Sequence, residues 1–135
     1  MMILSLPWLV IPIILYNLIA FLSESADVFN GVLFSVSMIS GATWSLTVGD
    51  VVILLTLTLL FVELIKATRT GGSSIVDHAL SMILFMICII EFLVVPRAAT
   101  SEFFFILFVT MIDVIAGFSI TIRAARRDFG FGANP

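Results

Sequence analysis

Hydrophobic side chains in this chain fall into four long runs, at residues 3–22, 51–65, 75–95 and 103–122, each ended by a short polar break. The runs do not alternate: Met82-Ile83-Leu84-Phe85-Met86-Ile87 is apolar at every position. Strands of a membrane barrel would alternate apolar and polar side chains, so the pattern predicts helices. A bilayer core about 30 Å thick is crossed by about 20 residues of helix. The expected fold class is therefore an all-α membrane protein, with four transmembrane helices in an antiparallel bundle at about residues 3–22, 49–66, 74–95 and 103–123.

Composition supports the same reading. Of 135 residues, 61% are hydrophobic and 11% charged, against about 25% charged in a soluble domain. Four spans and their connections use nearly the whole chain, so residues 1–135 are read as one domain. The net charge of −3, with no basic face interleaved with aromatics, argues against a nucleic-acid partner. The single cysteine, Cys88, lies inside the third run. It excludes an intrachain disulfide and a thiolate metal set.

Charge also orients the chain. Lys66 and Arg69 follow the second run, and Arg123, Arg126 and Arg127 follow the fourth. The first connection carries Glu24, Asp27 and Asp50 and no basic residue. Short Lys- and Arg-rich loops stay on the cytoplasmic side, which predicts both termini inside. The expected location is a cytoplasmic membrane, for a bacterial or phage-encoded protein. Residues 1–6 hold no basic side chain and the first run is long, so it reads as a retained helix, bent at Pro12, rather than a cleaved signal.

Residues 28–49 are uncharged and rich in Ser, Thr and Gly. Phe34, Val36 and Met38 alternate with Ser35 and Ser37; after Ser40-Gly41, Trp44, Leu46 and Val48 alternate with Ser45 and Thr47. A period of two around a turn signal predicts a β-hairpin in the first extracytoplasmic loop, lying on the outer membrane surface with Trp44 at headgroup depth. An interfacial or re-entrant helix and a fifth span are the rival readings. Four spans, inside termini and a β-bearing first outer loop give a topology similar to that of claudin-like proteins. The claudin loop pattern adds a cysteine pair, and this loop has no cysteine.

Polar residues inside a membrane are costly and are functional candidates by default. Asp77, Ser81, Cys88 and Glu91 share one face of the third helix, about 80° wide at 100° per residue. Thr110, Asp113, Gly117 and Thr121 share a face of the fourth, and Thr56, Glu63 and Thr70 a face of the second. Asn17 is the one strongly polar residue well inside the first. Loop distances place Glu63, Asp77 and His78, with Arg123 as a further candidate, at one cytoplasmic level, with Asp113 near the midplane and Glu91 in the outer third. Glu91 and Asp113 differ in depth by roughly 9 Å at the helical rise, which argues against direct pairing. Asp113 would instead find partners in Asn17 or Thr56.

These residues support two readings. As a proton or cation path, Asp113 would be the relay, Glu91 the outer station, and Glu63 with His78 the inner one. As bundle seams, the same stripes would hydrogen-bond between helices, with Gly117 allowing close approach. His78 has no partner at metal-ligand spacing, so neither a metal nor a cofactor is expected. Ser73 or Ser74 is expected to cap the third helix after the Gly71-Gly72 turn. Arg123, Arg126 and Arg127, with Lys66 and Arg69, are expected to contact lipid headgroups, at about 1 kcal/mol for each basic residue near the surface. Asp128–Pro135 reads as a loose end. No nucleophile stands at a usable spacing from a base, so no enzyme is expected.

The leading expectation is a structural or assembly subunit, whose partners are the bilayer and either further copies of itself or other membrane subunits. A small proton- or cation-coupled channel or transporter is the alternative, comparable in length and span count to small multidrug transporters and fluoride channels. A phage holin-like pore former is the third.

Overall fold

The computed structural model describes residues 6–69 and 72–132. Four helices, α1 (Val10–Leu22), α2 (Val48–Ala67), α3 (Gly72–Val94) and α4 (Ser101–Gly132), are joined by a hairpin of β1 (Val32–Ser37) and β2 (Thr43–Thr47) and by two short 3-10 turns. Three helices, α2, α3 and α4, are long and apolar enough to cross a membrane. Thr70 and Gly71 lie outside the described residues, as do the side chains of Ser73 and Ser74, and with them the expected cap of α3.

The first helix is shorter than its apolar run suggests. It has 13 residues, about 20 Å of rise. Pro7 has no N–H and disfavours helical geometry at the residue before it. Residues 6–9 accordingly form a bend and a turn, and the helix opens at Val10. Pro12 falls in the first turn, where no intrahelical N–H bond is lost. It therefore starts the helix rather than bending it.

The hairpin forms where the alternation predicts it. Phe34 pairs with Leu46 and Val36 with Trp44, with an irregularity between Val32 and Phe34. Gly41 takes φ of 90° at the turn, a conformation that costs little only without a Cβ. Thr47 ends β2 and caps α2: its hydroxyl accepts from Asp50 N at 3.1 Å, and its own N–H donates to Asp50 Oδ2 at 2.9 Å. This reciprocal capping box leaves no linker between sheet and helix. A 3-10 turn, Ala26–Asn30, anchors the loop through buried Phe29, whose ring stacks on Tyr16 at 4.5 Å.

Helix α4 packs against both α2 and α3. With α2 it runs parallel and in register. Gly49 lies against Glu102 at one end, and Thr121 Oγ1 donates to Ala67 O at 3.2 Å at the other. With α3 it runs antiparallel: Phe92 stacks on Phe103, and His78 meets Thr121. The buried positions of α2 are Gly49, Val52, Thr56, Leu59, Glu63 and Ala67, a helical stripe recurring every three or four residues. Buried aromatics gather at the hairpin end, where Tyr16 meets Phe103 edge-on at 5.0 Å. The exterior is hydrocarbon, with Leu54, Phe61, Ile83, Ile87, Leu93 and Phe108 all exposed. Helix α4 continues to Gly132, past the expected end at residue 123. Ala and Arg, both strong helix formers, carry it through Arg123–Arg127.

Candidate functional site

At two levels of the bundle a charged side chain hydrogen-bonds to other elements. The first lies about 6 Å inside the C-terminal end of α2, four residues before Ala67. There Lys66 Nζ donates to Glu63 Oε1 at 3.0 Å, to Asp77 Oδ1 at 3.3 Å and to Leu6 O at 2.9 Å. An ammonium has three N–H donors, and all three have acceptors. The Lys66 side chain is only 9% exposed. Expected at the headgroups, it is instead directed inward, because two carboxylates and a free carbonyl converge on it. Arg69, Arg123, Arg126 and Arg127 remain exposed.

Glu63 Oε1 also accepts from Trp8 N at 2.7 Å. Leu6 and Trp8 belong to the non-helical segment that precedes α1. Their backbone groups lack the helical partners that a longer α1 would have supplied. The Glu63–Lys66 pair supplies them instead. The carboxylate also lies at the N-terminal end of α1, where the helix dipole favours negative charge.

His78 and Asp77 are neighbours in sequence but point to different helices. Asp77 turns to Lys66. His78 turns to α4, where Nε2 lies 2.5 Å from Thr121 Oγ1 and the ring packs on Phe118. Thr121 has one hydroxyl proton, directed to Ala67 O. With the hydroxyl proton so directed, a histidine protonated at Nε2 would complete the chain as donor. Gly117 makes room for this ring: a Cβ there would stand 3.0 Å from His78 Nδ1 and Cε1.

Asp113 is buried at the middle of α4, beside the Ser81 hydroxyl and within electrostatic range of Glu63, Asp77 and Lys66. Neither expected partner serves it. Thr56 donates to its own helix at Val52 O, and Asn17 donates to Ile13 O. Farther out, Cys88 lies beside Thr110, and half-buried Glu91 lies beside Asn17. Asp113 and Glu91 thus have separate neighbours.

The second level lies at the hairpin end. The Arg97 guanidinium donates to Ser23 O at 2.7 Å and to Ala20 O, both at the C-terminal end of α1. Tyr16 Oη donates to Arg97 O at 2.8 Å and accepts from Thr100 Oγ1 at 2.6 Å. Nothing in the sequence marks Tyr16, Trp8 or Thr100 as site residues, and Arg97 counts there only as the lone basic residue between the third and fourth runs. The available signals were a lone tyrosine within an apolar run and a lone arginine in the third connection.

Among the described residues no three His, Cys, Asp or Glu side chains are placed to hold a metal ion. The arrangement couples helices and satisfies exposed backbone. It also leaves one buried carboxyl, Asp113, outside the Lys66 pairing. Comparison of the chain with protein families, with curated proteins and with solved structures finds no match.

Proposed function

We propose that this chain is a non-enzymatic integral membrane protein that acts as a structural or assembly subunit, in a homo-oligomer or a larger membrane complex. In this reading all four helices cross a cytoplasmic membrane, with both termini inside and the hairpin outside. The short first helix crosses together with residues 6–9. Irregular backbone is tolerated at membrane depth only where protein covers it, and the Glu63–Lys66 pair provides that cover.

One observation carries the reading. Every donor of the buried ammonium is engaged by the protein's own carboxylates and backbone, so this charge centre holds the bundle together. The outward surface is hydrocarbon, suited to lipid and to other membrane helices. The test is purification in mild detergent followed by native mass spectrometry. An oligomer or a stoichiometric partner supports the proposal, and a strictly monomeric particle with nothing co-purifying overturns it.

A second reading, proton or cation movement, is favoured by Asp113 alone, a buried carboxyl beside Ser81 and within electrostatic range of the charged level. Ion flux in liposomes, abolished by Asp113→Asn, would support it. A flux-free parent protein removes it.

A further inference from the structure

The outer edge of the hairpin is unprotected, and we infer that it is a homodimer contact in which β1 pairs antiparallel with β1 of a second copy, about a two-fold axis at Ser35. The inference rests on the assembly reading and names the surface it would use.

Exposure identifies the free edge. Every residue of β1 is exposed, whereas Ser45, Leu46 and Thr47 of β2 are half-buried. Hydrogen bonding then identifies the free groups. Met38 N donates to Ala42 O at 2.8 Å. By the alternation of an antiparallel ladder, Val36 and Phe34 bond toward β2, while Ser35 and Ser37 present their N–H and C=O groups outward. The 2.7 Å contact between Ser35 Oγ and Ser45 Oγ agrees, because side chains stand closest across a pair that shares no backbone bonds.

Natural edge strands are usually guarded by charge, proline or a bulge. Here no residue from 28 to 49 is charged or proline. The one irregularity lies between Val32 and Phe34, outside the central Ser35 pair and at the position that Ser37 of the second copy would face. An uncharged edge asks for no charge complement, and β1 fits itself. Two copies in one membrane, equally oriented, hold β1 at the same height. With the hairpin lying flat on the membrane surface, as its sequence predicts, a two-fold axis along the membrane normal reverses the strand, as antiparallel pairing requires. Centring it on Ser35 sets Phe34 opposite Val36 of the second copy. The apolar face formed by Phe34, Val36, Trp44 and Leu46 then continues across four strands. A lone two-stranded hairpin is marginal in water, and three or more strands with an apolar face are not. Burial in hydrocarbon is the poorer alternative, since lipid offers nothing to the outward N–H and C=O groups.

The test uses the full chain in native membranes, with Cys88→Ala as background. Ser35→Cys places two thiols on Cα atoms about 5.5 Å apart, within disulfide range. Under mild oxidation it should give a reducible dimer, far in excess of that from Ile39→Cys at the exposed turn. Adding Ser37→Pro, which removes an outward N–H and leaves the bonds to β2, should abolish the crosslink. Ser35→Cys that stays monomeric, or links no better than Ile39→Cys, overturns the inference. So does a Ser35→Cys thiol shielded from a water-soluble maleimide without dimer formation, which would mean that lipid covers the edge. If native mass spectrometry shows an oligomer while Ser35→Cys fails to link, the edge contact falls and the assembly reading stands. If the particle is a lone monomer, the assembly reading falls with it.

Discussion

Glu63 and Arg97 stand at opposite ends of α1, an anion against its N-terminal turn and a cation against its last carbonyls. Glu63 accepts from Trp8 N at 2.7 Å, and Arg97 donates to Ser23 O at 2.7 Å. Both charges match the helix dipole, and neither residue belongs to α1. A helix of 13 residues is marginal by itself, so its neighbours hold both ends.

Arg97→Gln should therefore destabilise the fold by about 1–3 kcal/mol, combining a lost charge-assisted hydrogen bond and the dipole term. Trp8 N cannot be mutated directly, but Glu63→Gln keeps an acceptor there while removing the charge. The two sites are separated by the length of α1, about 20 Å, so the two losses should add to within about 0.5 kcal/mol. Unfolding in SDS-containing mixed micelles measures each variant and the double. A strong coupling between the two would show that α1 is not held independently at each end.

Lys66→Met should be the most damaging single change in the bundle. It strands two carboxylates and the Leu6 carbonyl, and breaking one partner of a buried ion pair costs about 3–5 kcal/mol. Neutralising the whole group, with Lys66→Met, Glu63→Gln and Asp77→Asn together, should recover much of that loss, because the charges no longer lack a partner. The same unfolding assay decides. A triple variant less stable than Lys66→Met would mean that the carboxylates do not depend on the ammonium.

The reasons why some of this was legible in the sequence are physical. Period-two alternation and Ser40-Gly41 specify the hairpin because side-chain direction alternates along any strand. The faces carrying Asp77, Ser81, Cys88 and Glu91, and Thr110, Asp113, Gly117 and Thr121, follow from helical periodicity; six of the eight positions are buried, and Glu91 and Thr121 are half-buried. The start of α1 was obscured because hydropathy does not register that Pro7 breaks a helix within an apolar run. Lys66 reads as an anchor because a basic residue at a span end usually is one. Only the fold brings Asp77 and the carbonyl of Leu6 to its ammonium. Tyr16 and Arg97 belong to runs distant in sequence, and nothing local announces their contact.

Close packing of α4 against both α2 and α3 gives a separate prediction. A Cβ at Gly49 would stand 2.9 Å from Glu102 Cγ and 3.1 Å from Phe29 O, and a Cβ at Gly117 would stand 3.0 Å from the His78 ring. Overpacking of this kind costs about 1–3 kcal/mol. Gly49→Ala should cost more than Gly117→Ala, because a backbone carbonyl gives less readily than an imidazole. Gly117→Ala should also shift the His78 ring resonances in NMR, while Gly49→Ala should leave them in place. Equal, negligible effects would mean that the helices have slack at both positions.

Asp113→Asn separates structural from transport use of the buried carboxyl. The asparagine side chain has the same shape and can still hydrogen-bond the Ser81 hydroxyl. It carries no charge beside Glu63 and Asp77. If the residue serves only as a seam, the variant should match the parent in assembly state and be equally or more stable, since an acidic group facing two carboxylates is replaced by a neutral one. The parent protein in liposomes should then show no proton or cation flux above protein-free vesicles. Flux in the parent that disappears in Asp113→Asn, with assembly intact, would reverse the order of the two readings and make the carboxyl the working group of a channel or carrier.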